Sequence, residues 1–562
     1  MTRQQAVRGV AGAAALIAVL TVLARVAGFG RTVVFTNTVG AGSTADTYLA
    51  ANNVPNIVFE VVAGGALASL VVPMLAGGIA AGDREQVRRT ASALLGWTLV
   101  VLVPLAVLLA LLARPIADAL LGDDAADPAK AELAARFLLV FAPQVVLYGI
   151  GIVLTGVLQA HRRFAGPALA PLLSSVVVAG AYLTFAGIGG SRDVGELSRP
   201  AELVLGVGTT LGVVALAGCL LVPLRRLRLG LRPRLRFPVG AAPRVRRLAL
   251  AGVITLLGQQ VVAVVAIRLA NAGGVPDGTQ TVYFAGMTLF LLPWAALAVP
   301  LATSAYPGLA ERAAQGDDAG FRRLLAPVVA LVLVTSALAV AVLVAVAGPV
   351  SRVFFATEVD KAQMLAPTVV AFVPGLVGYG LVAVLTRALY ARGLWRSPTV
   401  CVAGGWSVAV VADVVLAGLL PAQDRSLALA LGHTLGVTVA GAGLLVVVAR
   451  VAGAGSLAGL VRLGGPAVLG AVAGGAAGLA VARALGADPV PPGGVLAAVG
   501  TGAAAGAVVV LVAAAVIMGT ARRPLRAALA GLRGPDRAGE HGGARDQPRD
   551  GGDAHRTTEE PR

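Results

Sequence analysis

Residues 201–270 read AELVLGVGTTLGVVALAGCLLVPLRRLRLGLRPRLRFPVGAAPRVRRLALAGVITLLGQQVVAVVAIRLA. Two apolar runs flank a block of arginines: Arg225, Arg226, Arg228, Arg232, Arg234, Arg236, Arg244, Arg246 and Arg247. Each run is about 20 residues or longer, the length of helix that crosses about 30 Å of hydrocarbon. Arginine-rich connections stay on the cytoplasmic face of a membrane. The stretch predicts two membrane-spanning helices joined by a cytoplasmic linker, and the same pattern extends in both directions.

Of 562 residues, 57% are hydrophobic and 13% charged. A soluble domain carries roughly 25% charged residues. So much apolar surface cannot be hidden from water, and lipid must be the solvent for much of it. The apolar segments are long and continuous rather than alternating, which predicts helices and excludes a barrel. Spans are expected at roughly 10–35, 46–80, 91–113, 133–160, 166–189, 201–224, 246–272, 279–309, 325–349, 363–390, 398–420, 426–449, 464–485 and 492–519. The fold class is an all-α polytopic membrane protein with about fourteen transmembrane helices.

Loop charge sets the orientation. With the N-terminus in the cytoplasm, every second connection is basic: Arg84, Arg88 and Arg89, then Arg162 and Arg163, then the central block. Arg312, Arg322 and Arg323 follow, then Arg392 and Arg396, then Arg450 and Arg462. The other connections are poor in Lys and Arg and often acidic, as at Asp118, Asp123, Asp124 and Asp127. About 27 basic residues fall inside against about 8 outside. The net charge of +17 is therefore an orientation signal rather than a nucleic-acid footprint. The first span carries Arg25 and Arg31 in or near its apolar run and is expected to be retained, not cleaved as a leader. Cys219 and Cys401 lie inside apolar spans and form no disulfide framework or metal motif.

The arginine block divides the chain into residues 1–224 with six spans, a basic cytoplasmic linker at 225–247, and residues 248–450 with six more. Two extra spans occupy 451–520, and 521–562 is a polar cytoplasmic tail. The start of the tail could form a basic interfacial helix, and the rest has the composition of a disordered segment. Two lobes around a central cavity are a common transporter plan.

No phosphate-binding loop, zinc-protease motif, nucleophile elbow or Cys/His cluster is present, so enzyme chemistry and a cofactor are not expected. Ionisable groups inside spans are the candidate functional residues. Arg25 and Arg31 subtend about 600° of helix and lie within about 120° of each other. Facing a cavity they would bind an anionic group such as a diphosphate; alternatively Arg31 snorkels and Arg25 pairs internally. Asp46 opens the second span and either pairs with one of these arginines or caps a helix. Glu60 lies within that span, with Arg25 and Arg31 as natural partners. Arg268 lies near the outer end of span seven, with Gln259 and Gln260 deeper in the same run. Arg387, near the inner end of span ten, fits a structural or headgroup role. Asp413 sits in mid-span, near His433 and Thr434, where a carboxylate is protonated, paired or bound to a cation. That makes it a candidate for Na⁺ or H⁺ coupling.

Specific strings then carry a family resemblance. RVAGFGRTVVFTNTVGAGSTADTYLAANNVPNIVFEVVAGGALASLVVPML, beginning at Arg25, resembles the opening of the MviN/MurJ family of lipid II flippases, within the multidrug/oligosaccharidyl-lipid/polysaccharide exporter superfamily. GVLQAHRRFAGPALAPLLSS, YPGLAERAAQGD and LTRALYARGLWRSPT are similar to further family motifs. The resemblance implies two six-helix lobes around a V-shaped cavity, with two extra helices forming a groove for a lipid tail. It implies alternating access that carries undecaprenyl-diphosphate-linked peptidoglycan precursor to the outer leaflet, driven by membrane potential or a cation. Arg25, Arg31 and Asp46 match cavity positions of the family. Phe59 and Glu60 stand where the family is basic, Gly64 where it is acidic, and Thr288 where it has arginine. Asp413 falls where the family often has Asn.

The expected cavity residues are therefore Arg25, Arg31, Asp46, Glu60 and Arg268, with Asp413 as the coupling candidate. The alternatives are a cation-coupled small-molecule exporter, favoured by Asp413, and a non-transporting scaffold for cell-wall synthesis proteins, docking through the linker and tail.

Overall fold

A computed structural model describes residues 3–61, 68–121, 128–236, 241–487 and 490–531. Gly64 and most of the polar tail lie outside the described residues. Among the described residues every regular element is helical. The first group comprises α1 (Arg3–Thr38), α2 (Ser43–Phe59), α3 (Ala68–Ala80), α4 (Arg84–Leu111), α5 (Ala113–Leu121), α6 (Pro128–Ala160), α7 (Ala165–Gly187) and α8 (Arg199–Arg225). The second comprises α9 (Ala241–Ala270), α10 (Thr279–Pro293), α11 (Val299–Ala314), α12 (Asp318–Phe354), α13 (Val359–Phe372), α14 (Gly375–Ala391), α15 (Arg396–Leu419) and α16 (Arg425–Ala452). Two more, α17 (Ala458–Ala484) and α18 (Val495–Gly531), pack on each other and both on α12.

Eleven helical stretches among the described residues are long and apolar enough to cross a membrane, or twelve if the bent pair α13–α14 counts as one. The count of fourteen is not reached by this measure. The second expected span is split between α2 and α3 by residues outside the described set, and of α9 only Leu256–Ala270 qualifies as a shorter apolar helix.

Local chemistry sets the helix ends. Asp83 accepts a hydrogen bond from the Gln86 N–H at 2.8 Å at the start of α4, and Asp317 accepts from the Gly320 N–H at 2.7 Å at the start of α12. Such caps satisfy N–H groups that have no partner in the helix. Proline sets the breaks. Pro374 precedes α14, where the axis turns by 46°. Pro293 ends α10 before a single π turn at Trp294–Ala298 leads into α11.

The helices pack mainly within their own group. Tyr48, Phe137, Phe141 and Phe185 fill the first core, and Phe290, Phe354 and Phe372 the second. The outer surface is apolar: Leu111 is 75% exposed, Val461 79% and Leu496 89%. A water-soluble monomer does not expose apolar surface on this scale, whereas lipid accommodates it. This is the expected two-lobed, all-helical membrane protein with two helices appended.

Small residues let α15 and α16 approach closely. A Cβ on Gly405 would lie 2.6 Å from the Gly436 carbonyl oxygen, and one on Gly436 would lie 2.7 Å from the Gly405 carbonyl oxygen. A Cβ on Gly404, one residue away, would meet nothing within 4 Å. Overpacking a tight contact costs about 1–3 kcal/mol. Gly405→Val and Gly436→Val should therefore lower the Tm of the detergent-purified protein by several degrees, with Gly404→Val unchanged. Equal Tm values for all three variants would contradict this helix contact.

Candidate functional site: a closed-ended cavity between the lobes

The two groups of helices meet at the end carrying the connections 39–42, 188–198, 271–278 and 355–358. Asp46, in the first turn of α2, is buried there. Its carboxylate accepts from the Gly278 N–H at 2.7 Å, the Thr281 N–H at 2.9 Å and the Thr281 hydroxyl at 2.6 Å. One lobe thus caps the first turn of α10 in the other, placing negative charge at the positive end of a helix. Gly278 has φ +87°, and a Cβ there would lie 2.1 Å from the Ala41 carbonyl oxygen, so only glycine fits.

Further polar links surround this cap. The Asn37 amide donates to the carbonyls of Val353 and Phe354, both at 3.0 Å, and its oxygen accepts from the Ala356 N–H at 2.9 Å. Glu358 accepts from the Ala41 N–H at 3.1 Å and pairs with Arg192 at 3.3 Å. Burial pushes the Glu358 carboxyl above its usual range, opposed by the Arg192 guanidinium and the Ala41 N–H. Lys130 pairs with Asp277 at 2.9 Å. Together these contacts seal one end of the space between the lobes.

Behind the seal lies a cavity in two connected parts, of about 440 and 620 Å³. Both parts are lined by Arg31, Thr32, Tyr148, Ser174, Thr288 and Leu291. The part next to the seal is topped by Tyr48, whose hydroxyl bonds those of Tyr182 at 2.9 Å and Thr209 at 2.7 Å. Asn52, Asn53 and Asn56 of α2 add an amide wall. The other part runs along α1, α7 and α10 past Arg25 and Gly28. Among the described lining residues, Arg25 and Arg31 are the only charged ones. Neither forms an ion pair with a described residue. The charge of Arg31 reaches the hydroxyls of Tyr48, Tyr148 and Tyr182. The arrangement offers two guanidinium groups, several amides and hydroxyls, and no competing carboxylate.

The other expected residues lie elsewhere. Asp46 forms the seal, not the cavity wall. Glu60 follows α2 directly, acts electrostatically on Tyr379 in α14, and pairs with neither Arg25 nor Arg31. Arg268 occupies the last turn of α9 and is not part of the cavity lining. Asp413 is fully buried in α15 against Gly432 of α16. Among the described residues, both its oxygens and both ring nitrogens of His433 lack hydrogen-bond partners. The His433 ring sits among Phe290, Phe372, Tyr379 and Trp406, with centroids 5.5–6.3 Å away. The asparagine wall and the tyrosine top were not singled out from the sequence. The run AANNVPN, with three amides in an apolar segment, carried that signal.

Hydrogen bonds to a charged group contribute about 1.5–3 kcal/mol. Asp46→Ala should therefore release the seal. Spin labels at positions 191 and 360, with Cys219 and Cys401 replaced by Ala, would report it. The inter-label distances should lengthen or broaden in the variant; an unchanged distribution would show that the cap does not hold the lobes together.

With this geometry in view, the chain can be compared with known proteins. The family model described as lipid II flippase MurJ matches residues 35–483. A probable lipid II flippase MurJ of Synechocystis is 25% identical over 406 residues, covering 70% of this chain and 73% of that protein. The lipid II flippase MurJ of Burkholderia cenocepacia is 24% identical over 431 residues, covering 74% and 80%. A solved lipid II flippase MurJ in an inward-closed conformation superposes with a TM-score of 0.69 at 16% identity, covering 90% of this chain and 99% of that one. An inward-facing multidrug resistance transporter of the MATE family, in the MOP superfamily, gives 0.60 at 16% identity, covering 79% and 94%. The likeness to solved structures is one of fold, and the match across most of the sequence adds the family: the chain belongs to the lipid II flippase MurJ family.

Proposed function

We propose that the protein moves an undecaprenyl-diphosphate-linked peptidoglycan precursor, lipid II, from the inner to the outer leaflet of the cytoplasmic membrane. One observation carries the reading beyond family membership. Arg25 and Arg31 line a cavity that contains no carboxylate among its described residues. Two guanidinium groups in such a site favour a diphosphate through charge-assisted, bidentate hydrogen bonds. A cation exporter would need negative charge in the cavity, and Asp413 lies outside the lining. A scaffold would leave the arginine-lined space without a role.

In this reading the arginine-rich end is cytoplasmic, with both termini on that side. The diphosphate enters from that side and is held by Arg25 and Arg31. The amides of Asn52, Asn53 and Asn56 and the tyrosine hydroxyls meet the polar headgroup. The lipid tail stays in the membrane beside α1. Outward opening then breaks the Asp46 cap and the Arg192–Glu358 pair while the arginine-rich end closes. Alternating access is rocking of one lobe against the other around a fixed site.

Protonation of Asp413 is the coupling event that best fits the residues around it. A hard cation such as Na⁺ needs several oxygen ligands, in the manner of other hard cations. The unpartnered groups here are one carboxylate and one imidazole, and Thr434 already donates to the carbonyls of Ala371 and Phe372 at 2.8 and 3.0 Å. A buried carboxylate with no partner is most stable when neutral, so proton binding and release would bias the second lobe.

Two experiments test these assignments. In cells dependent on this protein, Arg25→Ala with Arg31→Ala should cut surface-exposed lipid II at least about tenfold, since each lost charged hydrogen bond is worth about 1.5–3 kcal/mol. Wild-type exposure in that variant, with no other flippase present, would sink the diphosphate assignment. Asp413→Asn cannot titrate. It should retain lipid II binding while flipping in proteoliposomes loses its response to a proton gradient. A variant that still responds like the wild type would remove Asp413 from coupling.

A further inference from the structure

A second cavity, of about 450 Å³, lies at the arginine-rich end, away from the space between the lobes. It is walled by the starts of α12 and α17 and by the end of α18. None of its lining residues lines the central cavity. Three arginines, Arg322, Arg323 and Arg462, converge on it, and the rest of its wall is Ala, Gly, Pro and Leu. Among the described residues, no acidic one lines it.

Some arginines elsewhere on this face are already committed to acids. Arg88 and Arg89 pair with Glu85, both at 2.8 Å. Arg392 takes the carboxylate of Asp318 at 2.6 Å. Arg323 and Arg462 have no partner among the described residues, and Arg322 has only a 3.5 Å hydrogen bond to the Ala452 carbonyl. Arg322, Arg323 and Arg462 share a walled space.

The third wall is made by a bend. α18 departs from helical geometry at Ala521, with φ −138° and ψ 28°, and continues with Pro524 inside it. The turn brings Leu525 and Ala528 against Leu463, Ala330 and Leu331, which closes the cavity from the side. The flank of α17 beside Arg462 is apolar and open: Val461 is 79% exposed, and Leu469, two turns further on, is 59% exposed.

We propose that this cavity binds the phosphate of an anionic membrane phospholipid, with the acyl chains lying along the exposed flank of α17. Charge complementarity specifies a phosphate, and basic sites between helices at the cytoplasmic surface are a known kind of anionic headgroup site. The open apolar flank favours a lipid over a free ion. Such a lipid would brace the two appended helices against α12. Its arginines are not those of the central cavity, so its loss and failure of the flippase reading can be told apart.

The test uses the full-length protein in mixed micelles. Native mass spectrometry would read bound phosphatidylglycerol against phosphatidylcholine, and Tm would be followed in parallel. The wild type should prefer phosphatidylglycerol. Arg322→Gln, Arg323→Gln and Arg462→Gln together should weaken that preference about tenfold or more. Should the triple variant not fold, Arg323→Gln with Arg462→Gln removes only exposed, unpartnered groups. Its control is Arg225→Gln with Arg226→Gln, equal in charge change and outside the cavity, which should keep the preference. Ala527→Trp keeps every arginine but fills the space, and should also lose it. Equal preference in wild type and cavity variants overturns the proposal. A Tm rise with inorganic phosphate alone, to which phosphatidylglycerol adds nothing, overturns the lipid assignment in favour of a free anion.

Discussion

A guanidinium draws an anion most strongly where no protein carboxylate competes for it, and among the described residues none pairs with Arg25 or Arg31. Most other arginines near the membrane ends have an obvious arrangement: an acidic neighbour, a carbonyl, or open solvent. These two line a space whose other polar groups, among the described residues, are neutral amides and hydroxyls. Neutral groups can orient an anion but cannot neutralise a guanidinium. In the proposed reading the diphosphate of the ligand supplies the negative charge, and the absence of acids from the described wall leaves the arginines free to bind it.

The seal has its own physical basis. The Asp46 carboxylate does not oppose the cavity arginines; it is committed to the first turn of α10. This keeps negative charge out of the cavity and adds a buried cap to the other polar contacts between the lobes. A cap of this kind is strong enough to hold a closed state and weak enough to exchange. Packed helices supply the rigidity on either side, so opening concentrates at the polar contacts between lobes rather than spreading through the cores. Asp413 stands apart in the second lobe, outside the lining of the cavity.

Much of this was visible in the amino-acid order. Apolar length and alternating arginine loops specify an all-helical, many-span protein, and the spacing of Arg25 and Arg31 places them on related faces of α1. The role of Asp46 was harder to read. Its partners are backbone N–H groups more than 200 residues away, and backbone groups leave no signature in side-chain identity. Arg268 and Glu60 drew attention as charges in apolar runs, but helix rotation decides which way a charge faces, and hydropathy is blind to rotation. Asn52, Asn53 and Asn56 are hard to find for the opposite reason: they are neutral, and polarity without charge stands out less in an apolar run.

The most direct measurement is a structure of the full-length protein with lipid II bound. The account predicts the diphosphate between Arg25 and Arg31, with the Asp46–Thr281 contact intact while the cargo is held from the arginine-rich side. A diphosphate bound outside this cavity, with Arg25 and Arg31 left facing solvent or turned onto a protein carboxylate, would contradict it.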